Sequence, residues 1–403
     1  MRMNLILAIF AFTQFIAAVQ VSAQEDFSQS SPPGQTRPKP LVPAAPTIEL
    51  YTVGIGETVM ERFGHGSLCV KLNRKHAGDC FNYGTMDLKD PLKLSWGFVR
   101  GKSNFYVSVG SLPNTLAHYK RRDRSIWVQA LDLSAAEATE LARFLYNNAK
   151  EENRYYQYHH FFDNCTTRLR DSIHKITNGK LGDPRDMSEL GTFRKVAREG
   201  LAGVWWMHAG TDLILGRGAD RVMTKHEAMF LPKVLSSEVE EKLGVQPVQI
   251  YKRKGPQFKT ESSQGRLILL GFGIFGFLVI LVGWWHRQKH RKRAAFLGLF
   301  LGSFAGILIW GLAICSPLDM ARYNEVLLVL WPFDIFLAFM KPAKARQYAR
   351  LRLVWLALVL GVMLVGLLKQ PLWAVAPWAG LPLLALAMPA YRGQNKDIVT
   401  MEA

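Results

Sequence analysis

The sequence predicts a chain of two unlike parts: an exported α+β domain at 48–255 and a five-helix transmembrane bundle at 266–390. Three observations lead there. Apolar residues make up 49% of the 403, yet long apolar runs are confined to 1–23 and 267–390. Between them the chain alternates like strands and then caps like helices. The charge lies where a membrane would sort it: Lys plus Arg is 50 against 32 acidic residues, a formal +18, and much of that excess flanks the apolar runs.

Residues 1–23 combine Arg2, an apolar core from Leu5 to about Val19, and Val21-Ser22-Ala23, the layout of a secretory signal peptide. An uncleaved anchor has the same export consequence. Residues 24–47 are a Pro- and Ser-rich linker with no core of its own. Five apolar segments follow the domain, at about 267–285, 294–315, 325–340, 351–368 and 372–390. Most approach the ~20 residues that cross ~30 Å of hydrocarbon. The third is short and holds Pro332 and Asp334, so Asp334 is either a functional intramembrane carboxylate or a residue near the interface of a broken span.

Arg287, Lys289, Arg291, Lys292 and Arg293 lie between the first two segments. Lys341, Lys344, Arg346 and Arg350 lie between the third and fourth, with Arg352 at the start of the fourth. The alternate loops hold only Arg322 and Lys369. Positive loops stay in the cytoplasm, which puts 48–255 outside and the tail 391–403 in the cytoplasm. Orientation thus explains the basic excess, and nucleic acid is not an expected partner. Four cysteines exclude a disulfide-dense scaffold, and no zinc spacing, P-loop or dinucleotide fingerprint appears. No cofactor or metal is expected.

Within 48–255, strands are expected from Ile48, Gly66, Cys80, Asn104 and Ser125. Ser134-Ala-Ala-Glu137 is a capping box opening a helix to about Asn148, with Leu141, Phe144 and Leu145 on one face. An aromatic stretch, Tyr155 to Phe162, leads into Asp163-Asn164, which can cap a second helix from Cys165 to about Thr177. A meander packed against helices is the expected arrangement.

Cys165 therefore begins a helix, where the dipole and free N–H groups stabilise a thiolate and can hold an oxyanion. A thiolate nucleophile needs a base. His65, between Gly64 and Gly66, is the candidate; His76, His159 and His160 are rivals. A lone Cys is also a common small core residue. Pairing Cys69 with Cys80 across two strands sets Ser67 opposite Asn82 and His65 opposite Gly84. It puts His65, Ser67, Cys69, Cys80 and Asn82 on one face, with Leu68, Val70, Phe81 and Tyr83 on the other. In that register Asn82 can orient the imidazole. A Cys69–Cys80 disulfide would leave Cys165 unpaired in the exported domain.

Several motifs in order resemble a known family. They are Phe63-Gly64-His65-Gly66, Asn82-Tyr83-Gly84-Thr85 and Tyr158-x4-Asp163-Asn164-Cys165-Thr166-Thr167-Arg168, then Asp212-x2-Leu215-Gly216-x3-Asp220-Arg221 and Met229-Phe230-Leu231-Pro232. They resemble the Lnb N-terminal periplasmic domain family over most of 48–340. The resemblance implies a permuted papain-like (NlpC/P60-like) thiol fold in which the His strand precedes the Cys helix. It also implies Cys165 as nucleophile, His65 as base and, less directly, Asn82 as a polar third member. The implied activity is N-acylation of lipidated apolipoproteins with a phospholipid acyl donor. One fold hosts several chemistries. A periplasmic cysteine hydrolase cutting peptidoglycan peptides, and a non-catalytic membrane-anchored assembly domain, are the other readings. Arg168 and Arg170 read either as phosphate contacts or as solvated helix charges. The aromatic stretch reads as an acyl pocket or as core.

Overall fold

The computed structural model describes residues 45–73, 75–86, 96–97, 100–258, 264–286 and 290–389. The expected signal peptide, nearly all of the expected linker, the expected cytoplasmic tail, and Arg287 and Lys289 of the first basic loop lie outside the described residues. In chain order the elements are β1 Thr47–Val53, β2 His65–Lys71, β3 Asp79–Met86, β4 Asn104–Ser111, α1 Leu112–Arg121, β5 Ile126–Ala130, α2 Ala135–Asn148, β6 Tyr155–Gln157 and α3 Cys165–Ile176. They continue with α4 Phe193–Gly200, α5 Trp205–Ile214, α6 Pro232–Leu243, β7 Val248–Tyr251, α7 Gln264–His286, α8 Arg291–Cys315, α9 Pro342–Leu364 and α10 Ala376–Ala387, with single turns and 3-10 pieces between. Two compact units result: 1–201 with 222–260, and 202–221 with 261–403.

The first unit is mixed α and β. Its sheet has seven strands in the order β6-β4-β3-β2-β1-β5-β7, all antiparallel. The expected strands are all present. Strand alternation sorts the side chains onto two faces. Ile48, Leu50, Leu68, Val70, Phe81 and Tyr83 face one core, which α2, α3 and α6 close with Leu141, Leu145, Leu169, Ile173, Leu235 and Val239. Tyr51, Val53, Cys69, Cys80 and Ile126 face a smaller core, closed by Leu112 and Tyr119 of α1. The two faces divide β2 and β3 as the sequence register requires. Cys69 stands opposite Cys80, and the two are joined by a disulfide.

Both expected helices start at their caps. Ser134 accepts from Glu137 N–H with a full capping box, and Asn164 accepts from Thr166 and Thr167 N–H. Leu141 and Leu145 of α2 are buried. Phe144 is 38% exposed, because it stands at the edge of that stripe rather than within it. Helix α1 is not foreseen by the sequence pattern. Pro113 in its first turn pre-sets the backbone, and His118, Lys120 and Arg121 complement its C-terminal end.

Among its described residues the second unit holds three helices with the length and apolarity to cross a membrane: Gln264–Gly283, Arg291–Cys315 and Pro342–Leu364. Five such helices are expected from the sequence. The third segment instead forms 3-10 pieces at Glu325–Leu328 and Pro332–Phe339, and the fifth is the shorter α10. Pro332 has no N–H to continue a helix, and Pro371, Pro377 and Pro382 interrupt the last segment. The third segment still runs back along α8. Phe339 packs on Phe296 near the start of that helix, with ring centroids 6.2 Å apart, and Gly306 brings the Leu330 carbonyl close to its far half.

Asp334 is buried and paired. Both its oxygens accept from Arg352, at 3.0 and 2.9 Å, and Arg352 also donates to the Val329 carbonyl and lies 4.5 Å from the Trp331 ring centre. One of the flanking cations is therefore an internal partner. The segment 202–221, assigned to the exported domain on sequence grounds, packs with this unit, where Asp212 pairs with Arg266 at 3.5 Å.

Candidate active site

Cys165 is the first residue of α3 and packs at the margin of the larger core, half-buried. His65 is the first residue of β2, and its ring lies 6.0 Å from that of Tyr119 on the opposite side of the sheet. The two meet because the sheet ends between them. Pairing of β2 with β3 runs from Val70↔Asp79 to Leu68↔Phe81 and stops, and the β3–β4 register shifts between Asn82 and Thr85. Two glycines line that opening. At Gly66 a Cβ would come 2.9 Å from Leu169 of α3. At Gly84, which has φ +91°, a Cβ would touch Cys165 Cβ at 3.4 Å. Glycine lets the helix terminus reach the strand ends and supplies the left-handed conformation without strain.

The electrostatics favour a reactive sulfur. Burial pushes the Cys165 thiol up, but the adjacent His65 imidazole, the Thr166 hydroxyl and the Gly66 N–H outweigh it and bring it from 9.0 down to about 7. A thiol in that range is substantially ionised at neutral pH. Thr166 Oγ1 lies 3.6 Å from the sulfur. On the far side of His65, Tyr119 is buried beneath Arg124, whose guanidinium is 5.3 Å from the ring centre. Arg124 is held by the Gly54 carbonyl at 2.8 Å and by Glu61 at 3.2 Å. Burial pushes Glu61 up, and Arg124 and Arg122 pull it further down, so it stays a carboxylate.

The rival imidazoles are engaged elsewhere. His76 is 3.7 Å from Asp79 in the β2–β3 turn. His159 accepts from the Phe161 and Phe162 N–H groups, both at 3.2 Å. His160 is buried among Phe63, Phe161 and Phe230, and burial drives its pKa down to about 4. Asn82 is buried in the expected strand but is not bonded to His65. Its Nδ2 donates to the Cys80 carbonyl at 3.3 Å, and its Oδ1 has no hydrogen-bond partner. The register that would set it beside the imidazole is lost where the two strands part. Arg168 grips Asp163 through both nitrogens, at 2.5 and 2.7 Å, and Arg170 bonds Asp171 and the His226 carbonyl. The aromatic stretch divides: Tyr156 and Phe161 are buried, whereas Tyr155 and Phe162 are exposed. Tyr119, beside His65, is the neighbour that sequence reasoning missed, and Tyr156 entered it only as one member of the aromatic stretch. Tyr119 lies in the unforeseen helix, and nothing sets Tyr156 apart from Tyr155 and Tyr158 in the sequence. Cys165 and Cys315 are the free cysteines among the described residues. No group of three or more ligating side chains suited to a metal occurs among the described residues.

Residues 41–199 match the family model of the Lnb N-terminal periplasmic domain. This is the family that the motifs resemble. The matched segment contains β1 to α3, hence both Cys165 and His65, and it ends before the motifs at 212–221 and 229–232. No curated protein and no solved structure gives a significant match. A periplasmic domain followed by three helices long and apolar enough to cross a bilayer fits a protein of the inner membrane.

Proposed function

We propose that the protein is a thiol-dependent lipoprotein N-acyltransferase of the inner membrane. The observation that carries the reading is a free cysteine at a capped helix start, held near pKa 7 by an adjacent histidine, inside an Lnb-type domain. The order of elements, with the His strand before the Cys helix, supports a permuted papain-like arrangement.

In this reading the Cys165 thiolate attacks the ester carbonyl of a phospholipid acyl chain. The proton that His65 took from the thiol passes to the departing glycerol oxygen. The thioester left on Cys165 is then attacked by the α-amino group of a diacylglyceryl-cysteine, His65 accepts the proton released from nitrogen, and the amide forms as the thiolate leaves. Only about ten residues, from Gly255 to Gly265, connect the domain to the first apolar helix, so the site is tethered within reach of bilayer substrates at high effective concentration.

The test is expression in cells that lack lipoprotein N-acylation, with mass spectrometry of the lipoprotein N-terminal peptide. The wild-type chain is expected to add a third acyl chain, and Cys165→Ala at equal expression is expected to add none. A third chain with Cys165→Ala would sink the nucleophile assignment. Release of stem peptides from purified cell wall, without lipoprotein acylation, would replace this reading with a cysteine hydrolase.

A further inference from the structure

The start of α3 offers fewer oxyanion donors than a bare helix end would. Asn164 Oδ1 accepts from Thr166 N–H and from Thr167 N–H, both at 2.9 Å, and the Arg168 N–H goes to the Asn164 carbonyl at 3.2 Å. In the first turn only the N–H of Cys165 itself is left. A tetrahedral intermediate of acyl transfer is ordinarily held by more than one preorganised donor.

A second donor stands near Cys165. Tyr156, on β6, is 8% exposed, and its hydroxyl oxygen is buried with no hydrogen-bond partner. The ring is fixed from two sides. Tyr83 packs edge-on at 6.1 Å, and the Arg168 guanidinium lies 4.3 Å from the ring centre, itself locked by Asp163. The hydroxyl points toward Gly84. A Cβ on that glycine would lie 4.0 Å from the Tyr156 oxygen and 3.4 Å from Cys165 Cβ, so the phenol and the nucleophilic residue pack against the same glycine. Burial and the neighbouring Cys165 raise the phenol well above its ordinary pKa, so it remains a donor at any working pH. Tyr158, two residues on, differs: it stacks on Phe105 at 4.2 Å, and its hydroxyl lies 3.4 Å from His160 Nδ1.

We propose that the Tyr156 hydroxyl is a catalytic residue, donating a hydrogen bond to the oxyanion formed when Cys165 attacks an acyl ester, alongside the Cys165 N–H. The inference rests on the acyl-transfer reading of the site. As the C–S bond forms, the carbonyl π pair moves onto oxygen, where the two donors hold it. When the pair returns, the C–O bond to the leaving alcohol breaks and that oxygen takes the proton carried by His65.

The experiment compares two reactions of the full-length protein in detergent. Acylation of Cys165 by a 4-nitrophenyl acyl ester, followed by nitrophenolate release and intact mass, passes through an oxyanion. Alkylation by iodoacetamide needs the thiolate but forms none. Tyr156→Phe is expected to slow acylation roughly 10²–10³-fold, the usual cost of one such donor. Its alkylation rate and alkylation pH midpoint are expected to match wild type. Tyr158→Phe is expected to leave acylation within a few-fold. Thermal unfolding of Tyr156→Phe is expected to be unchanged or raised, because the lost hydroxyl had no partner. Equal acylation by Tyr156→Phe and wild type, an equal loss in both reactions, or a lowered unfolding temperature overturns the proposal. If wild-type Cys165 is alkylated yet takes no acyl group, the acyl-transfer reading falls and this inference falls with it.

Discussion

Each unit of the protein buries a titratable group against a cationic or cation-capable partner, and the two pairs are finished differently. In the second unit Asp334 and Arg352 are both deeply buried, and both carboxylate oxygens are occupied by the guanidinium. Each oxygen of Asp334 already has a donor. In the first unit Cys165 and His65 meet past the end of a strand ladder, Cys165 is only partly buried, and unpaired polar atoms stand at Tyr156, Asn82 and Ser67. A closed pair holds a fold together; an open one, with unspent hydrogen-bonding capacity around it, is built to receive something.

Perturbing each pair breaks or sharpens that contrast. The largest effect is expected where a closed pair loses one member. Asp334→Asn leaves Arg352 buried without its counter-charge and is expected to cost about 3–5 kcal/mol, whereas replacing both residues with leucine is expected to restore most of it. Thermal unfolding of the full chain in detergent checks both, and a single variant as stable as wild type would refute the structural role.

At the open pair the expected change is in reactivity. Cys165 alkylation is expected to rise with pH through a midpoint near 7, because the depressed thiol pKa puts the thiolate above that point and the inert thiol below it. His65→Gln removes the main opposition to burial. A midpoint returning to 9.0 or above would cut alkylation at pH 7 by roughly fifty-fold or more, from the ionised fraction alone. A midpoint that stays near 7 would show that the imidazole does not set the thiol.

The smallest effect belongs to the cap between these extremes. Asn164→Ala is expected to cost about 1–2 kcal/mol of unfolding free energy. Its alkylation midpoint is expected to stay within a few tenths of wild type, since Asn164 bonds Thr166 and Thr167 rather than the sulfur. A large shift in that midpoint would mean that the cap tunes the nucleophile.

What the sequence made legible follows from which interactions are local. The strands, the Ser134 and Asn164 caps and the Cys69–Cys80 register depend on residues a few positions apart, or on alternation within one strand. They position Cys165 and His65 well enough to nominate the pair. Asn82 was nominated by continuing a register that β2 and β3 keep only as far as Leu68↔Phe81; beyond it β3 shifts its register with β4 between Asn82 and Thr85 and takes a left-handed conformation at Gly84. Helix α1 escaped notice because its buried residues, Leu112, Thr115 and Tyr119, include few strong apolar signals. The apolar segments were counted correctly as hydrophobic, but Pro332 and the later prolines decide which become helices, and the closure of Asp334 by Arg352 is a contact across 18 positions. Tyr156 was indistinguishable from its neighbours because an unpaired hydroxyl is a property of the packed site, not of the residue.

The Cys69–Cys80 bridge has a consequence for how such a protein is made. A compartment that oxidises thiols threatens any enzyme relying on a free one, since Cys165 could be trapped by either of the other two. Those two are only 11 positions apart, on neighbouring strands that precede Cys165 in the chain. During N-terminal-first export they emerge and can join before the third sulfur arrives, since short loops close fast. The hairpin thereby removes its own cysteines from competition and leaves Cys165 reduced, as the proposed role requires.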